Sequence, residues 1–135
     1  MSSGPFWLLP SVVEAMHDEQ IAEHGGAAGL RSPDLPASAL AWPVHLQTCG
    51  QPDVFDLAAV YAYGIVKNHP FVDGNKRTGF LAAYEFLRGN GQRLAASQSD
   101  AVRTVSSLAD GGVDEASFAE WLGANADADS GVQEI

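Results

Sequence analysis

The sequence predicts an all-α fold, and three observations carry that reading. Apolar residues recur at helical spacing in one segment after another. No stretch of convincing length alternates in twos. Capping residues and glycines stand where such helices would begin and end. A chain of 135 residues suits one compact domain, here a bundle of about six helices. At this size about two thirds of the unfolded surface can be buried, so the core needs no staples.

Ser11 reads as the N-cap of a first helix with Val13, Met16 and Ile21 on one face, and Gly25-Gly26 closes it. A turn-rich loop follows over residues 27–34, then a short second helix over residues 37–41, cut off by Pro43. Asp53 caps a third helix carrying Val54, Leu57, Ala58, Tyr61 and Ile65. It runs to about Asn68, because Pro70 disfavours helical geometry at His69. The fourth starts near Asn75, shares Phe80, Tyr84 and Leu87 on a face, and stops at Gly91. Residues 92–96 make a short extended connection at most. Ser97 or Ser99 caps a fifth helix with Val102, Val105 and Leu108. Asp114 caps a sixth with Phe118, Trp121 and Leu122. The domain is expected to span residues 1–124, with residues 125–135 a small, acidic, frayed tail.

The net charge of -10 sets a body that repels phosphate backbones, which argues against nucleic acid as a partner. Any phosphate site must then be a local positive focus. The lone Cys49 excludes a disulfide framework, fits a reducing compartment and reads as an inert thiol. The first residues lack a basic signal-peptide region, and no run reaches the ~18 apolar residues of a membrane span. A cytoplasmic protein without a membrane partner is the expectation.

The chemistry concentrates in nine residues, His69-Pro70-Phe71-Val72-Asp73-Gly74-Asn75-Lys76-Arg77, which join the third helix to the fourth. A helix start offers unpaired N–H groups and the positive end of the helix dipole, both suited to an anion. Gly74 permits a close backbone approach, and Lys76 and Arg77 bring two of the chain's seven cations to the same spot. Asp73 is a hard oxygen ligand suited to a magnesium ion on phosphates, and His69 can accept a proton near neutral pH. Singly, each of these residues is an ordinary cap, turn or solvated charge. Jointly they read as phosphoryl or nucleotidyl transfer, with Phe71 pinning the loop from the core. Elsewhere His17 and His24 share a helix face without a third ligand and read as core or surface residues. His45 has no evident partner. Trp7, Trp42 and Trp121 read as packing residues.

The segment HPFVDGNKRTG resembles the signature of the death-on-curing (Doc) toxins, a branch of the Fic/Doc family. Leu30-Arg31 after the Gly-Gly loop, Ser38-Ala39-Leu40 before Trp42-Pro43, and Phe86-Leu87-Arg88-Gly89-Asn90-Gly91 are similar to that branch as well. The resemblance implies an all-α bundle with the active loop between two central helices. Family members that transfer AMP resemble HxFx(D/E)GNGRxxR. Here Lys76 stands at the second glycine of that pattern and Phe80 at its final arginine. The glycine leaves room for a diphosphate and the arginine holds its far end, so both losses turn the expectation toward the Doc chemistry. That chemistry is a protein kinase passing the γ-phosphate of ATP, with magnesium, to a Ser or Thr hydroxyl on elongation factor Tu, which stops translation. In it His69 would be the general base, Asp73 would hold magnesium or orient the base, and Gly74, Asn75, Lys76 and Arg77 would bind phosphates. The resemblance also implies an antitoxin partner whose disordered segment folds over the active groove. Two alternatives stay open: AMP transfer, and a non-catalytic module that uses the groove to bind a peptide. Relatives often read Leu-Leu-Glu-Ser-Ala-Leu where this chain has Leu35-Pro36-Ala37-Ser38-Ala39-Leu40, a departure that bears on the protein target.

Overall fold

The structure, a computed structural model, describes residues 7–30 and 52–128. In these residues the chain forms α1 (Pro10–His24), α2 (Val54–Asn68), α3 (Asn75–Gly89), β1 (Gln92–Leu94), α4 (Gln98–Asp110), α5 (Glu115–Ala124) and β2 (Ala126–Ala128). The fold is all-α in its framework, with five helices among the described residues. The short helix expected over residues 37–41 lies outside them, as do Arg31, Trp42, His45 and Cys49. No helix of the described residues is long and apolar enough to cross a membrane.

α2 is the central element. Every residue from Leu57 to Val66 except Tyr63 is buried, which requires neighbours on all sides. Asp53 caps it through a reciprocal capping box with Asp56: each side chain accepts the other's backbone N–H, at 2.8 and 3.0 Å. α3 crosses α2 at very close range. A Cβ at Gly79 would lie 2.9 Å from Val66 Cγ1 and 3.3 Å from the Ala62 carbonyl oxygen, so only glycine lets the two helices come this near. α5 covers another side, with Gly123 against the ring of Phe55. Tyr61 ties the N-terminal segment to this core. Its hydroxyl accepts the Leu8 N–H at 2.9 Å and donates to the Leu8 carbonyl at 3.3 Å. Burial pushes the Tyr61 phenol above its ordinary value, against the opposing pull of the Leu8 bond.

Two boundaries and one helix face differ from expectation. The N-cap of α1 is Leu9, not Ser11, because Pro10 takes the first helical position, where its missing N–H costs nothing. On α4 the buried face is Ala101, Val105 and Leu108, which leaves Val102 60% exposed. At the C-terminal end, Ala126–Ala128 is not frayed but pairs antiparallel with β1, Gln92 opposite Ala128 and Leu94 opposite Ala126. Leu94 is buried in the core and Ala126 packs against it, so one side-chain pair and the backbone ladder hold a segment that has no apolar alternation. Ser97 and Asp114 cap α4 and α5, as read, each accepting the N–H three residues on.

Candidate active site

The α2–α3 loop sits at one end of the two central helices. α2 ends with His69 in the left-handed conformation (φ 49°), the one non-glycine residue with positive φ among those described. Pro70 forbids a further helical turn, so the chain must leave there, and His69 carries the strain of the exit. Four attachments then fix the loop. Phe71 is fully buried. The Asn75 side chain clamps the Phe71 backbone at two points, accepting its N–H at 3.1 Å and donating to its carbonyl at 2.9 Å. The Val72 N–H donates to the Gly29 carbonyl at 3.0 Å, beside an antiparallel bridge between Leu30 and Phe71. His17 of α1 donates from Nε2 to the Asp73 carbonyl at 2.7 Å.

α3 begins with an unsatisfied end. Its N-cap, Gly74 (φ 77°), supplies no side-chain cap, and the first turn holds no acidic residue. The N–H of Thr78 is the one that returns to the Gly74 carbonyl, at 3.0 Å. The helix therefore leaves the amides of Asn75, Lys76 and Arg77 without intrahelical partners. α2, α4 and α5 each carry a side-chain cap and an acidic residue in the first turn, whereas α1, like α3, has neither. What sets the start of α3 apart from that of α1 is the pair of cations in its first turn, Lys76 and Arg77.

This end opens into a cleft of about 950 Å³. His69, Asp73, Gly74, Asn75, Lys76 and Arg77 all line it, so the structure brings together every residue singled out from the sequence. Their roles divide. Lys76 and Arg77 are exposed, and Arg77 Nη2 reaches toward the Gly25 carbonyl at 3.4 Å. The Asn75 side chain spends Oδ1 and one of its two Nδ2 hydrogens on Phe71, which leaves it one side-chain N–H and its backbone N–H as further donors. Asp73 is exposed. Its Oδ1 accepts the Gly74 N–H at 2.8 Å and its Oδ2 the Ala27 N–H at 3.3 Å. The second contact depends on Gly26, where a Cβ would stand 2.8 Å from Oδ2. No group of three or more His, Cys, Asp or Glu among the described residues is arranged to hold a metal. Away from the cationic end the cleft is mostly apolar, with Phe80, Tyr84, Val102 and Val105 along it beside a few polar side chains such as Gln98 and Ser106. Phe80 pairs with Tyr84 at 6.3 Å between ring centres.

His17, read from the sequence as a core or surface residue, lies in the core, and its contact with the active loop is what spacing did not bring out. It is 1% exposed and stacks on Phe71, rings 3.9 Å apart and 6° from parallel. The available signal was its position four residues after Val13, on the buried face. Its partner lies 56 residues away and could not be read from spacing. His24, its expected face-mate, is exposed beside Glu23, 3.6 Å away.

The Fic/DOC family model matches residues 7–87. The chain is 33% identical over 117 residues to Protein kinase doc of Escherichia phage P1, covering 85% of this chain and 91% of that one. It is 49% identical over 74 residues to Toxin Doc of Mycolicibacterium smegmatis, covering 53% of this chain and 57% of that one. The chain belongs to the Fic/DOC family. Within it, the similarity is to the Doc toxins, and the loop just described is the segment that carries the Doc form of the motif.

Proposed function

We propose that this protein is the toxin of a toxin–antitoxin pair, and that it is a protein Ser/Thr kinase. Its reaction passes the γ-phosphate of ATP to a hydroxyl on a translation factor of the elongation factor Tu kind, which blocks translation. The observation that carries this reading is the start of α3, three amides without a partner in the helix and with Lys76 and Arg77 beside them, on a loop held by four attachments. The name of the phage relative, a protein kinase, supports the reaction class. Lys76 fills the position where an AMP-transferring relative has glycine, and Phe80, half-buried against Tyr84, cannot supply the cation such a relative uses at the far phosphate.

The reaction then divides among this chain's residues. The α3 amides, Lys76 and Arg77 hold the phosphates and balance charge that develops on them. His69 accepts the proton of the target hydroxyl as its oxygen attacks the γ-phosphorus. The bond from that phosphorus to the bridging oxygen breaks, and ADP leaves. Asp73 suits magnesium. Each of its oxygens accepts one backbone N–H and keeps capacity to accept more, and magnesium on a nucleotide needs only one or two carboxylates. Bound there, the ion would neutralise phosphate charge.

The apolar length of the cleft is the surface an antitoxin segment would cover. Val102 is 60% and Val72 is 52% exposed, and Phe80 and Tyr84 line the same cleft. Such a segment is expected to be disordered alone and helical when bound. Label transfer separates the chemistries. Purified elongation factor Tu incubated with this protein and magnesium should take label from ATP marked at the γ-phosphate and none from ATP marked at the α-phosphate. Label from the α position would make it an AMP transferase, and no label from either would leave a binding module.

A further inference from the structure

We infer that His17, on α1 and outside the motif, is a positioning residue for the active loop: its Nε2–H fixes the Asp73–Gly74 peptide plane, and through it the Asp73 carboxylate. The kinetic part of the inference rests on the function proposed above.

A carbonyl can only accept, so the 2.7 Å contact between His17 Nε2 and the Asp73 oxygen puts the hydrogen on Nε2. In a trans peptide the carbonyl and the next N–H point to opposite sides. With the Asp73 carbonyl turned toward α1, the Gly74 N–H is turned away from it, and Asp73 Oδ1 takes that N–H at 2.8 Å. The carboxylate is thereby set in place, and Ala27 holds its other oxygen. The ring cannot swing out of this bond. Phe71 lies flat against it at 3.9 Å, and the Gly74 backbone approaches its edge, since a Cβ there would be 3.6 Å from Nε2. A phenylalanine or leucine would fill this core position as well. A buried polar ring is costly without a partner, so what the histidine adds is the donor. Its other nitrogen is 3.9 Å from the exposed Asp18 carboxylate, too far for a hydrogen bond.

Three readouts test this. Nitrogen chemical shifts of the wild-type protein should show His17 neutral on Nδ1 and protonated on Nε2, or protonated on both. A ring carrying its hydrogen on Nδ1 alone would overturn the inference without any variant. His17→Phe keeps the stack and removes the donor; His17→Gln keeps an N–H at the place of Nε2. The Gly74 amide should exchange with solvent at least about tenfold faster in His17→Phe, with His17→Gln close to wild type. Phosphate transfer by His17→Phe should fall about tenfold to a hundredfold in kcat, more than any change in KM for ATP, as a displaced active group predicts. His17→Gln should recover most of it. Equal loss in both variants, or none in His17→Phe, would overturn the assignment and leave His17 a packing residue. If the wild-type protein transfers no phosphate, the proposed reaction falls, while the tautomer and the Gly74 exchange still decide the role of His17.

Discussion

At the scale of single residues, the loop separates groups that act from groups that hold. His69 is the base candidate on the cleft, and His69→Ala should cost about a hundredfold to ten-thousandfold in transfer, with the unfolding midpoint unchanged. Full transfer by that variant would remove His69 from the mechanism. Lys76 tests the anion cradle. A charge-assisted contact is worth about 1.5–3 kcal/mol, so Lys76→Gly should weaken ATP binding and transfer about tenfold to a hundredfold, measured by calorimetry and by phosphate incorporation. Adding Phe80→Arg should give at most a trace of AMP transfer, because the Phe80 site is built into the packing with Tyr84. Asn75 belongs to the other group. Asn75→Ala breaks both bonds to Phe71 and leaves a buried backbone pair unsatisfied, so it should cost about 1–3 kcal/mol of stability in denaturant titration as well as activity. From the sequence Asn75 reads as a phosphate ligand, the same as Lys76. The difference lies in where an amide side chain four residues after Phe71 turns, and residue type cannot tell that.

At the scale of elements, most of the helical framework was legible. Asp53, Ser97, Asp114 and Gly25 do at the ends of α2, α4, α5 and α1 what local hydrogen bonding leads one to expect of them. The misreadings came where two local signals competed or where the signal was not local. Pro10 outranked Ser11 because a proline needs no partner for a missing N–H. Ala126–Ala128 forms a strand because β1 offers it an edge from more than thirty positions earlier. The close pairing of α2 and α3 was also out of reach, although Gly79 stood in view. Gly79→Ala must move Val66 or part the helices that carry the loop, and should cost about 1–3 kcal/mol. An unchanged midpoint would refute that close approach. Tyr61 makes a pH prediction. Its folded-state pKa is raised, so the stability it contributes is fully present below the unfolded value of about 10 and lost as pH rises past it. Tyr61→Phe should lower stability at neutral pH by about 1–3 kcal/mol and flatten the fall in stability above pH ~10 relative to wild type.

At the scale of the whole molecule, one cationic spot sits on an acidic body of net charge -10, at one end of a cleft that is otherwise mostly apolar. The proposed function assigns the two halves two kinds of occupant, phosphates at the start of α3 and an apolar helical segment along α4. The antitoxin reading predicts that circular dichroism of the mixed partners shows more helix than the sum of the two alone. Tight binding without that gain would contradict it. The site itself was legible because its residues are contiguous, and contiguity is what a loop feeding a helix start provides. Its support from α1 and the 25–30 turn was not, because those contacts join segments some fifty residues apart. The most direct measurement is the intact mass of elongation factor Tu after incubation with ATP, magnesium and either wild-type protein or His69→Ala. The account predicts a gain of one phosphate with the wild type and none with the variant. An added AMP, or an unchanged mass with the folded wild-type protein, would contradict it.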